Sequence, residues 1–232
     1  YKILKRMREI VVDVETTGLD YTKGDKIIEV ACVELINHIA TDNYLQFYCS
    51  TDKFIGEETK KIHGLSNSFL NKFPTFAAQV QKLINFIKTD TLIIHNANFD
   101  IGFINHELKL LGLTPLQNKY IDTVLLARKK LNSRIANLDY LCRRFSIDLS
   151  ARKFHGALLD CQLLSGVYLE LLGGRQTSLE LTKPPNNKTD TEDKRIIKKN
   201  KVHQISISFE EIKQHKNFVS NLKNCLWDKV DY

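Results

Sequence analysis

Ile10 to Val14 (Ile-Val-Val-Asp-Val) is a short, β-branched run of the kind that forms a strand in the middle of a sheet. Side chains at i and i+2 of a strand share a face, so Asp13 and Glu15 project together from its end. Thr16-Thr17-Gly18 then turns the chain away. Two carboxylates side by side repel, and one is pushed toward its protonated form unless a cation neutralises both. An isolated Asp-x-Glu is more often the solvated end of an ordinary strand; the Thr-Thr-Gly that follows counts against that reading here.

Two other segments supply matching chemistry. Thr91 to Ile94 reads as a second buried strand, followed by His95-Asn96 and by an amphipathic helix that opens at Phe99-Asp100, with Ile101, Ile104, Leu108 and Leu111 at core spacing. Alone, Asp100 reads equally well as a helix-start acid favoured by the backbone dipole. His155 and Asp160 lie five residues apart, which on one helix would turn them about 140° from each other. Gly156 resolves this: His155 sits on the loop, the helix runs from Ala157, and Asp160 leaves its first turn above a buried face of Leu158, Leu159, Leu163, Leu164, Val167 and Leu171. A histidine with a pKa of about 6.5 can take a proton from an attacking water at neutral pH. Alone, His155 is more often a surface or capping histidine, so the set carries the inference. Four carboxylates and a base are what two hard cations about 3.5–4 Å apart need for phosphodiester hydrolysis.

The rest of the pattern is α/β. Ile27 to Ile36 and Tyr44 to Cys49 read as strands joined by a short turn, an antiparallel meander. Helical patterns follow at Phe76–Ile87, Phe99–Leu111, Asp122–Leu131, Asn137–Phe145 and Ala157–Leu172, with strands at Leu92–Ile94 and Tyr120–Asp122. The order implies a mixed five-stranded sheet with helices on both faces. Asp122 and Asp139, both at helix starts, are assigned structural roles.

Composition changes after Gly173-Gly174. Residues 182–200, with Pro184-Pro185 and a mixed charge run, read as a flexible linker. Order returns with a capping box, Ser208-Phe209-Glu210-Glu211, and an apolar stripe of Ile212, Val219, Leu222 and Leu226 with Phe218 alongside. A lone helix of this length is marginal in water, so the stripe must cover its own domain or a partner. At 232 residues the chain can bury one substantial core with a small appendage. No apolar run reaches the ~18 residues of a membrane span. The basic start lacks an apolar segment of the signal-peptide kind. Cys32, Cys49, Cys142, Cys161 and Cys225 are scattered without C-x-x-C spacing, the usage of reduced cytosolic thiols. A net charge of +7 suits a polyanionic partner but is modest for a stand-alone DNA binder.

D-V-E-T-T-G, H-N-A-N-F-D and H-G-A-L-L-D resemble the three motifs of the DEDD exonuclease superfamily in its histidine-bearing subclass. K-I-I-E-V, L-D-Y-L-C and R-K-F-H-G-A-L-L-D-C-Q-L-L-S-G-V-Y-L-E-L narrow the resemblance to the proofreading epsilon-subunit family of bacterial DNA polymerase III, from Met7 to Gln176. The resemblance implies a ribonuclease-H-like exonuclease fold over residues 7–175 and two divalent cations, Mg²⁺ or Mn²⁺. Asp13, Glu15 and Asp160 would be ligands, Asp100 a supporting one, and His155 the general base. Glu58 and His63 match positions that contact the terminal nucleotide, although Glu57-Glu58-Thr59 departs from the family's Pro-Glu-Ala; Thr16, Phe99 and Asn96 are further candidates beside it. Phe99 is as readily a core aromatic as a stacking platform for a base.

Residues 176–181 (Q-T-S-L-E-L) resemble a sliding-clamp-binding motif, with the frayed end of a helix as the bland reading. Residues 201–232 resemble the tail that docks on the polymerase α subunit, with Phe218, Leu222 and Trp227 as anchors. Residues 1–6 read as an upstream extension. The implied protein acts on single-stranded 3′ ends of DNA at the bacterial replisome, in the cytoplasm and away from membranes. The competing expectations are a free-standing exonuclease of the superfamily trimming RNA or tRNA ends, and a non-catalytic tether between polymerase and clamp.

Overall fold

The computed structural model describes residues 7–152, 154–174 and 208–220. The β-branched run expected at Ile10–Val14 extends at both ends into β1 (Arg8–Thr16), which pairs antiparallel with β2 (Ile27–Ile36). β2 returns through Asn37 and His38, whose φ values of 51° and 69° make the tight loop that matches strand twist, into β3 (Ile39–Tyr48). β3 begins five residues before the expected Tyr44. Ile39 to Asn43 form an exposed edge whose polar residues hide the strand pattern.

The chain continues through α1 (Glu57–His63), α2 (Asn67–Leu70), α3 (Phe76–Ile87), β4 (Thr91–Ile94), α4 (Ala97–Leu110), β5 (Tyr120–Asp122), α5 (Thr123–Leu131), α6 (Leu138–Arg144) and α7 (Ala157–Leu172). The sheet order is β3-β2-β1-β4-β5, with β4 parallel to β1 and β5 parallel to β4. This is the expected mixed five-stranded sheet. The short α1 and α2 lack the length to show periodicity in sequence.

β1 divides two cores by its period of two. Ile10, Val12 and Val14 pack with α3 and α4 residues such as Leu83, Phe103 and Ile104. Val11 faces the other way, into Leu141, Cys161, Leu164 and Val167 of α6 and α7. Cys32, Cys49, Cys142 and Cys161 are buried free thiols. Among the described residues no helix is long and apolar enough to cross a membrane.

The chain divides into two compact units, residues 1–180 and 181–232. In the second, α8 (Phe209–Ser220) opens with the expected capping box. Ser208 Oγ accepts from the Glu211 amide at 3.2 Å, and Glu211 Oε2 accepts from the Ser208 amide at 2.8 Å. The expectations for residues 1–6, 176–181 and 182–200, and for Leu222, Cys225, Leu226 and Trp227, lie outside the described residues.

Candidate active site

Asp13 and Glu15 alternate with Val12 and Val14, so they leave β1 on the face that carries α7. β4 pairs with β1 only as far as Val11, which leaves the last residues of β1 without a partner on that edge. Asp100 fills the gap from α4, accepting from the Val14 amide at 3.1 Å. An acid from the opposite face of the sheet is thereby fixed at the carboxyl end of the central strand, where α/β sheets place their ligand sites. Asp160 stands in the first turn of α7, behind the N-cap Gly156, and His155 lies on the loop just before it. Glu15, His155 and Asp160 each offer a ligand atom within 4.8 Å of the others. Asp13 is not a member of this three-donor cluster, although it lines the same cleft of about 370 Å³ with His95, Arg152, His155 and Asp160. A larger cavity of about 470 Å³, beside Lys26 and Lys53, contains none of these acids.

Burial, then the charges of Asp100, Glu15 and Asp160, raises the Asp13 pKa well above the usual carboxylate range. Glu15 is pushed up to about 8 by burial and by Glu29, Asp160 and Asp100. Asp100 also rises to about 8, chiefly through burial. Asp160 departs from this pattern. Burial opposes its ionisation, but the hydrogen bonds and charge of Arg152, with His155 alongside, outweigh that and hold its pKa low.

Arg152 and Glu29 were not singled out in the sequence. Arg152 Nε donates to Asp160 Oδ1 at 2.7 Å and Nη2 to Oδ2 at 2.6 Å; Nη2 also meets His155 Nδ1 at 2.9 Å, and Nη1 donates to Asp139. A guanidinium cannot accept, so Nδ1 is the acceptor and the neutral His155 ring carries its proton on Nε2. Proton uptake by His155 therefore requires this contact to open or the tautomer to change. Glu29 faces Glu15 across the β1–β2 ladder, accepts from Gln46 at 2.7 Å, and receives the Ala157 amide at the start of α7. Asp139, read as a helix-start acid, is wired to the site through Arg152, whereas Asp122 caps α5 and accepts from the Ala97 amide at 3.1 Å.

The candidate nucleotide contacts diverge. Glu58 is exposed in the first turn of α1. His63 is buried at the end of that helix; its Nδ1 accepts from the Leu65 amide at 3.0 Å, which leaves Nε2 as a buried donor with no partner among the described residues. Burial, then the nearby His155, lowers its pKa. Thr16 is spent on the turn, donating to Gly18 O at 2.5 Å, and Asn96 is an exposed left-handed N-cap. Phe99 is half-buried with its ring 4.9 Å from Phe103, the core-aromatic alternative.

A family model described as Exonuclease matches residues 10–168, so fold and site together define an exonuclease. DNA polymerase III subunit epsilon of Rickettsia prowazekii is 38% identical over 229 residues, covering 94% of this chain and 98% of the relative. The Escherichia coli K12 subunit of that name is 36% identical over 236 residues, covering 95% and 97%. The chain belongs to the DNA polymerase III epsilon-subunit family of exonucleases. The nuclease domain of 3′hExo, a DEDDh family member bound to rAMP, superposes with a TM-score of 0.61 at 16% identity over 73% of this chain and 93% of that one. Exonuclease X in complex with 5′ overhanging duplex DNA gives 0.55 at 20% identity over 71% and 90%. Both share the fold.

Proposed function

We propose that this protein is the proofreading 3′→5′ exonuclease subunit of a bacterial DNA polymerase III. The observation that carries the reading is the meeting of Asp13, Glu15, Asp100 and Asp160 with His155 at the carboxyl end of β1. The donor set fits divalent cations. Five buried or half-buried carboxylates, with Glu29 counted, gather there, and burial together with their mutual repulsion raises the pKa values of Asp13 and Glu15.

Asp13, Glu15 and Asp160 would hold the cations, Mg²⁺ or Mn²⁺, with Asp100 supporting them. When bound, such ions polarise the phosphate and ease deprotonation of the attacking water. His155 takes the water proton as the oxygen attacks phosphorus. The P–O3′ bond of the preceding nucleotide breaks, its oxygen is protonated from solvent, and a deoxynucleoside 5′-monophosphate leaves. The buried Nε2–H of His63 and the carboxylate of Glu58 are the groups proposed to hold the terminal nucleotide. A mispaired 3′ end reaches the cleft more often because less unpairing energy opposes it. Residues 176–181 are proposed to touch the sliding clamp, and residues 201–232 the polymerase α subunit.

The test is digestion of matched and mismatched 3′ ends by the wild type and by a variant carrying Asp13→Ala and Glu15→Ala. Wild-type activity is expected to favour the mismatch, stop with EDTA and vanish in the variant. Activity surviving in the variant overturns the site assignment, and a wild type inactive on DNA overturns the proofreading reading.

A further inference from the structure

We propose that Arg152 is a positioning residue that acts through Asp160, fixing that carboxylate in the orientation that faces the proposed cation site. The inference rests on the metal-dependent reading above and goes beyond it in naming what holds Asp160. Asp160 stands in the first turn of α7, and a carboxylate on a helix rotates freely unless something pins it. Arg152 pins it with two parallel hydrogen bonds, at 2.7 and 2.6 Å, the paired geometry that only a guanidinium makes.

The arginine is itself immobilised. Its side chain is only 7% exposed, Nη1 is held by Asp139 of α6, and its backbone amide closes a turn onto Leu149 O at 2.9 Å. Four of its five N–H groups thus have named partners: two on Asp160, one on Asp139 and one on His155. The fork does not consume Asp160. A carboxylate offers about four acceptor positions, and the cluster of Glu15, His155 and Asp160 within 4.8 Å exists with the fork in place. Arg152 and a cation can therefore hold the same carboxylate together, the arrangement in which an outer partner orients a metal ligand.

Mn²⁺ affinity of the full-length protein, read by electron paramagnetic resonance without substrate, tests this. Arg152→Gln is expected to weaken Mn²⁺ binding about 10–100-fold. Arg152→Lys restores charge without the two-point fork and is expected to stay near the Gln variant. Asp139→Asn, which leaves the fork but removes its outer brace, is expected to weaken binding less. Excess Mn²⁺ should recover kcat in Arg152→Gln, since the acids and His155 remain. An unchanged or tighter Mn²⁺ affinity in Arg152→Gln, or full recovery in Arg152→Lys, overturns the inference. If Arg152→Gln fails to fold, Arg152→Lys and Asp139→Asn decide it: wild-type affinity in both overturns it, and weakening in both sustains it. A wild type without an Mn²⁺ site that Asp13→Ala removes would instead sink the metal-dependent reading.

Discussion

Burial of Asp13, Glu15, Glu29 and Asp100 around the end of β1, joined at Asp13 and Glu15 by repulsion from neighbouring acids, disfavours charge that protons or cations must balance. The imbalance has a measurable sign. Glu15 moves from 4.5 to about 8, and Asp100 from 3.8 to about 8. Each therefore stabilises the fold fully below its unfolded value and loses that contribution as pH rises through its folded value. Without divalent cations, Tm is expected to fall between about pH 5 and pH 8. Asp160 has the opposite sign, contributing above the ordinary carboxylate range and losing its contribution only in acid, so it does not offset the fall. Saturating Mn²⁺ should flatten the profile, because the ions stand in for the protons, and should bind more tightly at higher pH. Thermal melts in EDTA and in Mn²⁺ across this range decide it; a flat or rising EDTA profile contradicts the assignment of these acids as uncompensated.

At the scale of elements, the loop that carries His155 is held by α1. His155 donates its amide to Ile62 O at 2.9 Å, and a Cβ on Gly64, the left-handed cap of α1, would meet the Phe154 ring at 3.3 Å. Gly24 is also left-handed, at φ +84°, but has open space around it. Both Gly→Ala changes should cost about 1–2 kcal/mol of backbone strain, read as a Tm lower by roughly 2–4 °C per kcal/mol. Only Gly64→Ala should also lower kcat, by pressing on Phe154 and shifting His155; equal kcat in the two variants would discount the coupling. β1 was legible from sequence because its β-branched run and i, i+2 acids obey one period. α7 was legible because Gly156 separates His155 from the helix. Arg152 was not, since its place depends on the turn at Leu149 and no spacing rule carries an arginine back onto an acid eight residues ahead. Glu29 needed the register that sets it opposite Glu15. The first half of β3 was hidden because an exposed edge strand carries no apolar alternation to read.

For the whole molecule, a net charge of +7 coexists with a cleft lined by carboxylates. The chain as a whole attracts a polyanion that its own cleft repels, so cations are needed at the point of contact and delivery must be arranged elsewhere. α8 offers the means. Its described span is 12 residues, a length at which a lone helix is marginal in water, and it exposes Phe209 at 83% and Phe218 at 64%. Exposed aromatics on a capped helix suit a groove on a partner, here the proposed polymerase α subunit. Phe218→Glu in the full chain would place a charge in that contact and should weaken α-subunit binding about tenfold or more, as loss of an aromatic anchor does. Hydrolysis of free single strands should be unaffected, because the change lies in the unit of residues 181–232 and the acids lie in the unit of residues 1–180. Titration of the variant against the isolated α subunit, beside an exonuclease assay without it, separates the two functions. Undiminished α binding would move the docking surface off this face of α8, while lost nuclease activity would tie catalysis to the tail.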